Sequence, residues 1–232
     1  MALNKKEIKI FWDTQAEKSA HLKLEGISNL EEDQDLLEKK LDLENRKVNS
    51  WLGCLDNLSI LDLGSGTGQW ATLFAKKAKN IAAVEYSESM QSHAKALALR
   101  EKIENIDFIC KPAQEYVSEL KVDLIWISGL LIYLEDSECD SLIKNCKNNL
   151  SEAGKLVLRD GTGIMGRHEI NSSYSLTLKA HYSAIYRTRE EYAYMFEKHG
   201  FSLVRDENMF VEGSELNKWK ETRLRIYEFN LL

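Results

Sequence analysis

Short apolar runs alternate with helical stretches between residues 58 and 160, and this alternation restricts the fold more than any other feature of the chain. The runs LSILDL (58–63), IAAVEY (81–86), IDFIC (106–110), VDLIWIS (122–128) and GKLVLRD (154–160) read as strands. Helical stretches at 67–79, 88–102 and 136–150 fall between them, the last with Leu142, Ile143 and Leu150 on its apolar side. Strands joined through helices require right-handed crossovers, so the pattern predicts a parallel sheet covered on both faces. Thr188-Arg-Glu-Glu191 is a capping-box signature for one more helix ending near Gly200. Beyond it, FSLV and LRIYEF alternate as sheet-edge strands do. The expected class is α/β, doubly wound, with a mostly parallel sheet of seven strands.

The first 55 or so residues differ, with no strand-like run and two helical patterns. Residues 7–21 place Ile8, Phe11, Trp12 and Ala16 on one side, and residues 31–51 do the same with Leu36, Leu37, Leu41, Val48 and Trp51. The acidic cluster EEDQD suits a helix N-terminus, where the macrodipole favours negative charge. Residues 1–56 therefore read as an N-terminal helical cap on a main domain at 57–232. The chain of 232 residues has a net charge of −6, which argues against a nucleic-acid partner. No apolar run reaches the ~18 residues of a membrane span, and the first residues lack a signal peptide's apolar centre, so the expectation is no membrane and a cytoplasmic setting. Cys54, Cys110, Cys139 and Cys146 form no C-x-x-C pair and read as buried small hydrophobes, with no metal site expected.

The first strand runs into Ile60-Leu-Asp62-Leu-Gly64-Ser-Gly66-Thr-Gly68-Gln-Trp70. A glycine-rich turn at this junction lets a ligand approach backbone N–H groups at a helix N-terminus. A dinucleotide loop would carry glycine or alanine where this chain has Gln69, and a P-loop would carry a lysine that is missing. Asp62 would repel phosphate and attract an ammonium group, directly or through water. About 23 residues later, Glu85 ends the second strand, where an acid accepts hydrogen bonds from ribose hydroxyls. An amino acid joined to a ribose describes S-adenosylmethionine.

With these motifs the chain resembles the class I S-adenosylmethionine-dependent methyltransferases, over roughly residues 58–200. The resemblance is carried by I-L-D-L-G-S-G-T-G (60–68), V-E-Y-S-E-S-M (84–90), K-P-A-Q-E-Y (111–116) and V-D-L-I-W-I-S-G-L-L (122–131). It implies a Rossmann-like fold and a methyl transfer that leaves S-adenosylhomocysteine. It further implies that Gly64, Gly66 and Gly68 line the methionine half, with Glu85 on the ribose. Tyr86 and Met90 would cover the adenine, Ala113 and Gln114 would meet its edge, and Ser128 would lie under the sulfonium. Pro112 stands where the family often has an acid, which shifts the adenine amino contact toward Gln114.

Ligands in open α/β sheets bind outside the carboxyl ends of the strands. Tyr133 and Asp160 are the polar groups expected there as catalytic residues. The run W-I-S-G-L-L-I-Y-L-E-D is similar to that of N-methyltransferases acting on protein α-amino groups or phosphoethanolamine, which carry a histidine where this chain has Tyr133. Arg167 and His168 fall in a stretch with three glycines that reads as a mobile loop carrying substrate contacts, and His181 and Tyr182 follow it. Arg187 and Arg189 read as a solvated charge pair, and the basic KWKETRLRIY as an edge strand. Trp12 either closes over the ligand or anchors the cap. The leading functional reading is methylation of a nitrogen or oxygen on a small-molecule metabolite. The alternatives are methylation of a protein N-terminus or other macromolecule, and a binding module without catalysis.

Overall fold

In a computed structural model of the chain, residues 3–19, 33–175 and 180–232 are described. Five parallel strands form the centre: β1 (Ser59–Leu63), β2 (Asn80–Glu85), β3 (Ile106–Cys110), β4 (Val122–Ser128) and β5 (Leu150–Gly163). They lie in the order β3-β2-β1-β4-β5. The reversal beside β1 places a crevice between the ends of β1 and β4, where the chain turns to opposite faces. β4 shows why the runs are continuously apolar. Leu124 and Trp126 pack on one face against Trp70, Phe74 and Val157, while Ile125 and Ile127 pack on the other against Leu142, Ile143 and Phe196.

The crossovers are α3 (Gln69–Ala75), α4 (Glu88–Arg100) and α5 (Asp136–Asn149), with α6 (Arg189–Glu197) later in the chain. α3 is shorter than its sequence pattern. α6 opens on the expected capping box, with Thr188 and Glu191 each satisfying the other's backbone N–H. β8 (Phe201–Asn208) and β9 (Thr222–Leu231) bring the strands to seven, and the hairpin that follows β5 raises the sheet to nine where seven were expected. β9 lies antiparallel between β5 and β8, so it is not the edge strand expected from its basic residues. Those residues are instead paired across the sheet and its loop, Arg223 to Glu212 and Arg225 to Asp206.

Two further strands, β6 (His168–Ser175) and β7 (Ala180–Thr188), replace the expected mobile loop. They form an antiparallel hairpin that joins the tip of β5 through Thr162–Arg187 and Gly163–Thr188. Two of the three glycines that suggested mobility serve close packing. A side chain at Gly161 would meet the Tyr186 ring at 2.6 Å, and one at Gly163 would meet the Gly166 carbonyl at 2.3 Å.

The N-terminal region supplies α1 (Lys5–Ser19) and α2 (Gln34–Leu52). The expected continuation of α1 to His21, and Glu31 and Glu32 of the acidic cluster, lie outside the described residues. Asp33 caps α2, its carboxylate accepting the N–H groups of Asp35 and Leu36. Val48, Trp51 and Leu52 of α2 enter the same core as Trp70 and Trp126. α1 instead crosses the open end of the sheet. Cys139 and Cys146 are buried as expected, but Cys54 and Cys110 are exposed.

Gly68 shows how closely α3 and α4 approach. Its φ is +77°, and an added Cβ would lie 2.8 Å from that of Ala94. Gly68→Ala should therefore cost about 1–3 kcal/mol of stability. Urea denaturation measures this, and an unchanged midpoint would show that the contact relaxes freely.

Candidate functional site

The carboxyl ends of β1, β2, β4 and β5 open into one cavity of about 1010 Å³. At the β2 end, Glu85 is buried and its two oxygens are both occupied on one side. Oε2 accepts the Gly66 N–H (3.0 Å) and Oε1 accepts the Ser87 N–H (2.8 Å). Burial raises the Glu85 pKa, and the amides of Ser87, Gly66 and Tyr86 pull it back down. Each oxygen keeps a second lone pair for a ligand. Gly64 (φ +75°) and Gly66 (φ +54°) make the turn, and only the Met90 sulfur, at 4.0 Å, stands near the space a Gly66 side chain would take.

Asp62 is 1% exposed and does not line the cavity. Its Oδ2 has no hydrogen-bond partner. Burial and then the nearby Glu85 push its pKa up to about 8. Gly68 also stands behind the cavity wall, against α4. Tyr86, Met90, Ala113, Gln114 and Ser128 all line the cavity.

At the β5 end, Asp160 accepts the Leu131 N–H on Oδ2 and the Gly161 N–H on Oδ1, both at 2.8 Å. It is thus a cavity wall and a turn brace at once. Burial raises its pKa to about 6 against the pull of those amides and of Arg187. Three phenols stand beside it: the Tyr133 hydroxyl lies 3.2 Å from that of Tyr182, which lies 2.9 Å from that of Tyr186. Burial lifts the Tyr133 and Tyr182 hydroxyls well above the ordinary phenol value and also raises that of Tyr186. Trp12 of α1 closes this side, its ring edge-on to Tyr133 at 5.3 Å.

α1 is fastened at both ends of the cavity. The Leu3 N–H and Lys5 Nζ donate to Glu135 and to the Tyr133 carbonyl. Asp13 accepts the Ser87 hydroxyl, which itself caps α4. The role of Trp12 as a wall and as an anchor is therefore one arrangement.

Of the expected substrate contacts, His168 and Tyr182 line the cavity, while Arg167 and His181 do not. Arg167 is held on the surface by Glu169, Asp136 and Glu191. His181 is exposed and bonds the Ser172 carbonyl through Nδ1, because alternation along β7 turns it away from Tyr182. Arg187 is not solvated. It is fully buried and donates to the carbonyls of Leu131 (2.7 Å) and Leu134 (2.8 Å) and to Asp136.

Arg159, Tyr186 and the segment 216–224 also line the cavity, and sequence reasoning passed over them as site residues. Tyr186 carried a signal, since it lies four residues after Tyr182 and shares its face of a strand. Arg159 carried none, because its partner Glu44 is remote in the chain.

This architecture is shared with many solved structures, and it defines the class I methyltransferase fold. The phosphoethanolamine N-methyltransferase 1 of Haemonchus contortus, solved with phosphoethanolamine and S-adenosylhomocysteine, superposes with a TM-score of 0.72 at 17% identity, covering 99% of this chain and 50% of that one. The magnesium protoporphyrin IX methyltransferase of Synechocystis, solved with S-adenosylmethionine, gives 0.69 at 16% identity, covering 98% and 97%. Residues 60–154 match the family described as "Methyltransferase domain". In sequence the chain is 30% identical over 160 residues to phosphoethanolamine N-methyltransferase 1 of Zea mays, spanning 67% of this chain and 30% of that protein. The chain thus resembles the class I S-adenosylmethionine-dependent methyltransferases, in fold over nearly its whole length and in sequence over residues 60–154. The chain spans less than a third of the first curated relatives it matches: 30%, 24% and 25% of their lengths. Among the described residues, no helix is long and apolar enough to cross a membrane.

Arg187 gives a direct test of how the turn after β4 is held. Arg187→Met would orphan the Leu131 and Leu134 carbonyls at about 1–3 kcal/mol each. Chemical denaturation should show a loss of that size, and a loss below about 1 kcal/mol would mean that other donors replace the guanidinium.

Proposed function

We propose that this chain is a methyltransferase that moves a methyl group from S-adenosylmethionine to a nitrogen or oxygen of a small-molecule metabolite. One observation carries the reading: Glu85 with its glycine turn, and Asp160 with its phenols, face the same cavity from opposite ends. The residues present suit the cofactor. Glu85 has lone pairs left for two ribose hydroxyls, and Gly66 leaves open the space a side chain would fill, while Asp62, behind the cavity wall, keeps a buried oxygen without a partner that would favour a cation on the ligand side. Tyr86, Met90, Ala113 and Gln114 would hold the adenine, and Ser128 the methionine portion. The cofactor supplies a methyl group on a sulfonium, activated for in-line displacement.

The protein's part is alignment and handling of the acceptor proton. With a pKa of about 6, Asp160 is largely ionised at neutral pH. It would accept a hydrogen bond from the acceptor N–H or O–H and direct the lone pair toward the methyl carbon. Tyr133 remains a neutral phenol, so it orients the acceptor and does not serve as the base. Tyr182 and Tyr186 extend that hydrogen-bonding wall, and His168 stands beside Tyr186. The α1 strap over the cavity favours a small acceptor over a peptide. Among the relatives, the phosphoethanolamine N-methyltransferase 1 of Zea mays fits this choice. The exposed, unpaired Cys54 and Cys110 suit a reducing cytoplasmic setting.

Glu85→Ala should weaken S-adenosylhomocysteine binding at least about a hundredfold, since two charge-assisted hydrogen bonds are lost. Titration calorimetry giving the same affinity as the parent protein would refute the ribose assignment. Asp62 gives an independent readout. It is protonated below its pKa of about 8 in the free protein. A ligand ammonium nearby favours the ionised form, so binding at pH 7 should release protons, and release should fade above that pKa. Calorimetry in buffers of different ionisation enthalpy measures this, and heats independent of buffer at pH 7 would count against the ammonium site.

A further inference from the structure

Four aromatic rings at the Asp160 end pack edge to face in a closed cycle. Phe11 meets Trp12 at 5.1 Å, Trp12 meets Tyr133 at 5.3 Å, Tyr133 meets Tyr182 at 6.1 Å, and Tyr182 returns to Phe11 at 5.7 Å. Each ring fixes the next, so Trp12, Tyr133 and Tyr182 give the cavity a rigid apolar wall, which Ile8, Ile132 and Ile170 extend. The phenols of Tyr133, Tyr182 and Tyr186 stay neutral, because burial opposes their ionisation. The remaining charge on this wall is lopsided. Among the described residues, α1, the turn after β4 and the β6–β7 hairpin bring one ammonium or guanidinium group to the cavity, that of Lys5, and it donates to Glu138 and to the Tyr133 carbonyl. Arg187 is spent on Asp136 and two carbonyls and does not line the cavity. Asp160 does line it, and its carboxylate has more lone pairs than the Leu131 and Gly161 amides use. The other cations of the cavity stand on α2 (Lys40), on the opposite face of β5 (Arg159), and in or just before β9 (Arg223, Lys218). A phosphate or carboxylate seated beside Tyr182 would have only the His168 imidazole to meet, whereas an ammonium group would meet a carboxylate.

We propose that the acceptor is an apolar amine without phosphate or carboxylate, an inference that rests on the methyltransferase reading above. Its ammonium group lies at Asp160, and its apolar body lies along Trp12, Tyr133 and Tyr182. Before transfer the ammonium group passes one proton to the Asp160 carboxylate. The lone pair so freed forms the N–CH₃ bond while the electron pair of the S–CH₃ bond goes to sulfur. The product leaves as a methylated ammonium ion, and Asp160 gives its proton to water.

The test compares probes that share a ring and differ in charge. Tryptamine, 3-ethylindole, indole-3-propionate and phosphoethanolamine are titrated by calorimetry into the S-adenosylhomocysteine complex. Tryptamine should bind tightest, about tenfold or more above 3-ethylindole, with both anionic probes weaker still. A parent protein that shows no preference for tryptamine, or that binds either anionic probe more tightly, overturns the proposal. Asp160→Asn should bring tryptamine to within about threefold of 3-ethylindole, and a preference kept in full would remove Asp160 from the site. Because Asp160 also braces a turn, Ile170→Lys provides a second variant, which sets a cation into the same wall away from that brace. It should weaken tryptamine relative to 3-ethylindole about fivefold, and an unchanged ratio would place the ammonium group elsewhere. A parent protein that does not bind S-adenosylhomocysteine defeats the methyltransferase reading instead, and the same titrations into the free protein then decide the amine site.

Discussion

Glu85 ties the glycine turn, the entry to α4 and the strap over the cavity together at one buried point. Its carboxylate accepts the Gly66 amide from the turn after β1 and the Ser87 amide at the start of α4. Ser87 in turn donates to Asp13 of α1. A single buried acid thus sets the glycine turn, the entry to α4 and, through one more hydrogen bond, the strap over the cavity. The arrangement keeps a charged group out of water at a cost, visible in its raised pKa, which the backbone amides offset. Such a group is worth keeping where a ligand can use its remaining lone pairs.

The other end of the cavity follows the same logic. Asp160 and Arg187 hold the turn after β4 from opposite sides, one taking the Leu131 N–H and the other donating to the Leu131 and Leu134 carbonyls. Tyr133 lies within that turn, so its position is fixed by two buried charges and by the phenols of β7. Asp160 is therefore both a brace and a cavity group. Its raised pKa is a physical consequence of doing both without solvent.

The sheet was legible because buried parallel strands must be apolar on both faces, and β1 to β5 announce this over short runs. The glycine turn and Glu85 were legible because their chemistry is local in sequence. The β6–β7 hairpin was not. Residues of β6 are largely exposed and polar, and two glycines before it, Gly161 and Gly163, read as flexibility when they permit close packing against Tyr186. Arg187 and Arg159 were missed for a related reason. Both are buried by partners remote in the chain, Leu131 and Asp136 for one and Glu44 for the other. Arg167 erred in the opposite direction, a charged residue near the site whose three acidic neighbours hold it outside.

In the proposed function, one cavity would hold the adenosyl group at Glu85 and present the reacting centre to Asp160 and Tyr133. A crystal structure of the protein with S-adenosylhomocysteine tests that most directly. The ribose hydroxyls should lie within hydrogen-bond distance of the Glu85 oxygens, with the sulfur turned toward the Asp160 end of the cavity. A ligand bound elsewhere, or bound with its sulfur facing away from Asp160, would contradict it.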